Sequence, residues 1–118
     1  MGGSGMGVYY LLKHTPPEAS PLGTENTLSL MTGVVTDASF SGQSRVTATA
    51  KSPVTDLVGD SQSGGFWAAE LKGAGFDGIV IHGQAERPVY LWIQNGEAEL
   101  RDAAHLWGQF TADVKDAI

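Results

Sequence analysis

The amino-acid sequence predicts an α+β fold: a largely antiparallel β-sheet platform of about five strands with two or three short helices. Three observations point there. Short stretches of alternating or β-branched residues recur along the chain, at 27–33, 45–51, 77–82 and 89–102. Asn95-Gly96 stands between two of them, and Asn-Gly is the preferred two-residue hairpin turn. The stretches with helical character are brief and bounded by Gly or Pro. A length of 118 residues suits one small domain, 1–118, and no internal repeat divides it.

Taken in order, Gly-rich residues 2–7 lead into Val8-Tyr9-Tyr10-Leu11-Leu12-Lys13, a short helix that Ser4 would cap, whose C-terminal dipole suits Lys13 and His14, and which Pro16 and Pro17 end. Residues 15–26 form a polar loop. Thr27–Gly33 alternates Leu28, Leu30 and Thr32 against Ser29, Met31 and Gly33 as a strand. A Ser/Gly-rich loop is expected over 36–44, a strand over Arg45–Lys51 with Val46, Thr47 and Thr49, and a second small, polar loop over 59–65 (GDSQSGG). A helix from Phe66 to about Lys72 follows, capped by Ser61 or Ser63 and closed by Gly73-Ala74-Gly75. Asp77–His82 reads as a short central strand. Across the Asn95-Gly96 turn, Ile93 faces Ala98 and Leu91 faces Leu100, while Trp92 faces Glu99 and Tyr90 faces Arg101, close enough to stack. Ala103–Ile118 reads as a turn around Trp107 and a helix cut off at Ile118.

Composition excludes several function classes. Thirteen acids against seven bases give a formal charge of −6, against a nucleic-acid or anionic-membrane binder, both of which need a basic footprint. With no cysteine, disulfides, thiolate zinc sites, iron–sulfur ligation and cysteine nucleophiles are absent from these residues. No secretory signal and no run of eighteen apolar residues is present, so a cytoplasmic protein is expected.

Each chemical motif has a plain reading beside it. Gly73-Ala74-Gly75-Phe76-Asp77-Gly78 spells G-x-G-x-x-G, but the dinucleotide fingerprint needs a strand before and a helix after, and here the order is reversed, which leaves a helix C-cap. Gly59-Asp60-Ser61 resembles a serine-nucleophile setting, yet G-x-S-x-G fails because Ser63 stands where Gly is required. His14, His82 and His105 lie far apart in sequence with no H-E-x-x-H, which argues against a metal site built from side chains. The 59–65 segment before a helix has two open readings. It is a set of ordinary turns, or it is a place where small residues and helix N–H groups admit an anion such as a phosphate, with Arg45 adding a planar fork of donors.

Longer stretches carry a resemblance. Pro21-Leu22-Gly23-Thr24-Glu25-Asn26-Thr27-Leu28, Thr32-Gly33, Ser44-Arg45, and Thr49-Ala50-Lys51-Ser52-Pro53-Val54-Thr55 keep their order with the run Ser63–Ile81, with Gly83–Leu91 and with Arg101–Gly108. Together they resemble the N-terminal domain of the aldehyde ferredoxin oxidoreductases. The resemblance implies a platform under a tungsten (or molybdenum) bis-pterin. Arg45 would lie at the cofactor near a 4Fe-4S cluster. The turn Gln62, Ser63, Gly64 and Gly65 would meet the pterin phosphates, with a main-chain carbonyl near Gln62 helping to hold a bridging magnesium. It also implies departures, since the family usually has Asn where Gln62 stands and many members have Arg where Ser4 stands. Family members begin with a further β region and continue with two helical domains that supply the cluster cysteines. The chain is therefore expected to be an internal piece of the first domain. As such it would be inactive alone, with no cofactor required to be bound to it, and partnered by the remaining domains and by ferredoxin in the complete enzyme. A second expectation is a non-enzymatic module of the same fold that binds a partner or self-associates as a homodimer through an unpaired sheet edge.

Overall fold

The computed structural model describes residues 1–39 and 41–118. The fold is α+β, with antiparallel pairing throughout and the element order α1 Gly3–His14, β1 Leu28–Thr32, β2 Val46–Lys51, β3 Val58–Ser63, α2 Trp67–Gly73, β4 Gly78–Ile81, β5 Val89–Gln94, β6 Glu97–Asp102, α3 Thr111–Ala117. It divides into two compact units, Met1–Gln84 and Ala85–Ile118.

In the first unit four strands form one sheet in the order β3-β2-β1-β4. Register places Ser29 opposite Thr49 and Val80, and Met31 opposite Thr47 and Gly78. These residues share the face on which α1 lies, and Ser29, Met31, Thr47 and Thr49 are all buried. Gly7 makes the close approach possible. A Cβ there would stand 2.8 Å from the Cβ of Thr49 and nearer still to its hydroxyl. With the helix this near, Ser29 Oγ donates to the carbonyl of Gly7 or of Thr49, each 3.3 Å away. Leu11, one helical turn beyond Gly7, is buried at 4% exposure. On the opposite face stand Leu28, Leu30, Ala48, Ala50, Ile79 and Ile81, half-buried or exposed.

α2 runs between the end of β3 and the start of β4, and register sets both at the same end of the sheet, beside Val46 and Met31. It closes as expected: Gly75 takes φ +97°, its N–H donates to Lys72 O, and that of Phe76 donates to Leu71 O, a Schellman-type cap. The G-x-G-x-x-G letters are therefore a helix exit and strand entry.

Several expectations are corrected. Residues 58–63 form a strand where a polar loop is read over 59–65. β3 is an edge strand, so ladder bonds to β2 hold it without apolar side chains. β4 is the opposite edge rather than central, because β1 already pairs with β2 on its other side. Strands number six among the described residues. Ser4 lies inside α1, whose N-cap is Gly2, and α2 is capped by Phe66 with no side-chain bond from Ser61 or Ser63, which the ladder holds in β3. The 36–44 loop includes Phe40, which lies outside the described residues.

The second unit contains the hairpin in the expected register, Tyr90 opposite Arg101, Leu91 opposite Leu100, Trp92 opposite Glu99 and Ile93 opposite Ala98. Asn95 and Gly96 take φ of 50° and 84°, the positive pair that a type I′ turn requires. Arg101 does not stack on Tyr90. Its guanidinium lies 4.2 Å over the ring of Trp92, the diagonal neighbour, and is paired with Glu99. Desolvation lowers the Arg101 pKa, but the bonds and charges of Glu99 and Tyr90 outweigh it and hold the group above its ordinary value. α3 follows at Thr111–Ala117 and buries no residue.

Candidate functional site

The ladder decides what gathers at the end of the sheet where α2 lies. Val46 pairs with Thr32 on one side and Ser63 on the other, so the residue before β2, Arg45, stands next to the last residues of β3. The two segments are tied directly, with Ser44 Oγ donating to the carbonyl of Gly65 at 2.6 Å. The N-terminal turn of α1 reaches the same end, where Gln62 Nε2 donates to Ser4 Oγ at 3.4 Å. Folding thus brings together Arg45, Gln62, Ser63, Gly64 and Gly65, which the sequence leaves seventeen or more residues apart across the gap from 45 to 62.

Every one of these five residues is exposed. Arg45 makes no hydrogen bond or ion pair with a described residue. The N–H groups of Gly64 and Gly65 likewise donate to no described residue. Gly65 sits at φ +103° with nothing within 4 Å of an added Cβ, and Ser63 Oγ donates to the carbonyl of its neighbour Gly64 at 3.2 Å. The arrangement is an open turn of small residues with unspent backbone donors, one guanidinium beside it, and the first turn of a twelve-residue helix behind it. Chemically it can accept an anion that several weak donors and one fixed charge share.

Other candidates resolve differently. Ser61 pairs with Ala48 in the sheet and bonds to no histidine, so the hydrolase reading has no base. A cleft of about 400 Å³ opens between α1, β1 and β4, walled by Met6, Tyr10, Met31 and Val80 with the Lys72–Asp77 pair (2.6 Å), and includes none of the five residues above. His14 and His82, far apart in the chain, meet with ring centroids 4.8 Å apart, a juxtaposition that sequence spacing conceals because it arises only when α1 crosses the sheet. No group of three or more His, Cys, Asp or Glu gathers among the described residues. No described helix is long and apolar enough to cross a membrane.

Comparison with known proteins decides the family. The description "aldehyde ferredoxin oxidoreductase, N-terminal domain" matches residues 1–118, the whole chain. The chain belongs to this family. The tungsten-containing aldehyde ferredoxin oxidoreductase of Thermococcus kodakarensis is 43% identical over all 118 residues, which span 20% of that protein. That of Pyrococcus furiosus is 40% identical over the same length and the same share. The WOR-like subunit of an aliphatic sulfonate oxidoreductase from Pyrococcus furiosus is 41% identical over 110 residues, 91% of this chain and 17% of that one. Among solved structures, the active-site complex BamBC of benzoyl coenzyme A reductase, with 1,5-dienoyl-CoA, superposes with a TM-score of 0.94 and 38% identity, over 98% of this chain and 18% of that one. The chain thus spans about one-fifth of the length of the relatives it matches.

Proposed function

We propose that residues 1–118 act as a single cofactor-binding platform within a tungsten-pterin oxidoreductase that converts aldehydes to carboxylic acids and passes electrons to ferredoxin. The observation that supports it is the convergence of Arg45 with Gln62, Ser63, Gly64 and Gly65 at one open end of the sheet, in a chain whose family is named for that reaction. The residues fit an anionic pterin on structural grounds: N–H donors at Gly64 and Gly65 and a guanidinium at Arg45, all without a partner among the described residues, and room at Gly65. Arg45 would hold pterin phosphate by charge, and the 62–65 turn would hold it through main chain, with the carbonyl of Gln62 facing magnesium. Since the Gln62 side chain is already engaged by Ser4, a main-chain role suits it better than a side-chain one. When bound, the metal–dithiolene group supplies the two-electron redox chemistry, and this chain's residues only seat and orient it. The 4Fe-4S cluster would rest on cysteines elsewhere, as this chain has none. The half-open apolar face formed by Leu28, Leu30, Ile79 and Ile81 supports the companion reading that further polypeptide of the same enzyme packs there.

The test uses Arg45→Ala in the assembled enzyme. Tungsten and pterin content per protein should fall well below the parent. The isolated chain should keep its unfolding free energy to within about 0.5 kcal/mol, as exposed substitutions do. Unchanged cofactor content would sink the assignment, and a large stability loss would make Arg45 a structural residue instead.

A further inference from the structure

The end of the sheet away from Arg45 holds a second cluster, used by nothing above. We propose that His14 and His82 bind a divalent transition-metal ion of the kind that prefers imidazole, for which Zn²⁺ is the probe. His14 is the last residue of α1, and His82 follows the last residue of β4. Their ring centroids lie 4.8 Å apart with planes crossing at 65°, a separation compatible with both rings, once turned toward each other, reaching one ion that takes each nitrogen at about 2.0–2.1 Å. Both side chains are exposed, which leaves the remaining coordination positions to water.

Each ring is held in place by a different device. His82 Nδ1 lies 3.2 Å from the hydroxyl of Thr27, a residue with no exposed surface. With the Nδ1 proton donated to that hydroxyl oxygen, Nε2 keeps its lone pair for a metal, the arrangement by which outer groups fix a ligand histidine. Thr27 is itself anchored, its N–H donating to Thr15 Oγ1 at 3.1 Å. His14 is stacked on Tyr10, one helical turn earlier, at 6.0 Å and 10°. The nearest basic neighbour in sequence, Lys13, is drawn to the face of Tyr9 at 5.6 Å. The chain's net charge of −6 favours cation approach. Two protein ligands, with no third gathered beside them among the described residues, make an exchangeable site that ties the end of α1 to the end of β4, rather than a closed structural cage.

The test is a Zn²⁺ titration of the 118-residue chain followed by the imidazole ¹⁵N resonances. His14 and His82 should shift together along one saturable curve, reverse with chelator, and leave His105 unmoved. His14→Gln and His82→Gln should each weaken binding at least about 10-fold, and Thr27→Val, which removes only the orienting hydroxyl, by about 10-fold. Because a bound ion stabilises only the folded form, the melting temperature should also rise with Zn²⁺ in the parent and not in the histidine variants. If only one histidine responds, or if the variants bind Zn²⁺ as the parent does, the two rings are merely packed together and the proposal fails.

Discussion

The two faces of the four-stranded sheet invert the usual expectation. The face covered by α1 is built from Ser29, Thr47 and Thr49 with Met31, and it is the buried one. The other presents Leu28, Leu30, Ala48, Ala50, Ile79 and Ile81, and it stays half-open, with Leu28 39% and Ile81 40% exposed. Size explains the first face: small side chains opposite Gly7 let helix and sheet backbones approach closely enough for Ser29 to bond across. The second face agrees with the proposed packing of further polypeptide of the same enzyme there, since the chain spans a fifth of its relatives. A polar face can thus be a core when its side chains are small and closely fitted, and an apolar face need not be one in isolation.

The sharpest way to break the covered face is Gly7→Ala. Alanine favours helix by about 1 kcal/mol over glycine, so an ordinary helical site would gain. Here the methyl meets Thr49 Cβ at 2.8 Å, and overpacking should turn that gain into a net loss of about 2 kcal/mol by urea denaturation. Adding Thr49→Ala should restore part of it, because the closest atom, the hydroxyl, is then gone. A stabilised Gly7→Ala chain would mean that α1 does not sit this near.

Much of this was legible beforehand, and what was not has a common cause. Local rules gave α1, β1, β2 and the hairpin with its register, since each is specified by nearby residues: the Pro16-Pro17 stop, the alternation through Leu28 and Leu30, the Asn95-Gly96 turn. β3 was hidden because an edge strand needs only backbone pairing, and Gly59, Asp60 and Ser61 show no strand preference of their own. The placing of β4 at an edge was hidden because its apolar residues look the same in the centre. Which face of β1 is buried could not be read at all, for alternation separates faces without ranking them. At the candidate site, the residue types at Arg45 and Gln62–Gly65 were visible, but their adjacency rests on the β2–β3 ladder. The His14–His82 pairing rests on long-range packing that no local pattern encodes.

A smaller effect sharpens the same contrast from within the core. Thr49 is fully buried, yet its Oγ1 finds no hydrogen-bond partner, unlike Ser29 beside it. Thr49→Val keeps the shape and removes the orphaned hydroxyl, so stability should rise by about 1 kcal/mol, read as a higher urea midpoint with an unchanged slope. A loss of similar size would show that the hydroxyl is satisfied in solution, and that the covered face is held by polar bonds more than by fit.

The smallest effect is expected on the open face. Ile81→Ser takes an apolar side chain from a position that is already 40% exposed at the edge strand β4. In the 118-residue chain the unfolding free energy should change by about 0.5 kcal/mol or less, as for other surface sites. In the complete enzyme, where the proposed cover would bury Ile81, the same change should cost about 2 kcal/mol or more, because it then places an unpartnered hydroxyl in an apolar contact. Equal, small effects in both settings would leave this face open to water in the whole protein. The inversion between the two faces would then belong to the fold itself rather than to the share of the enzyme that these residues represent.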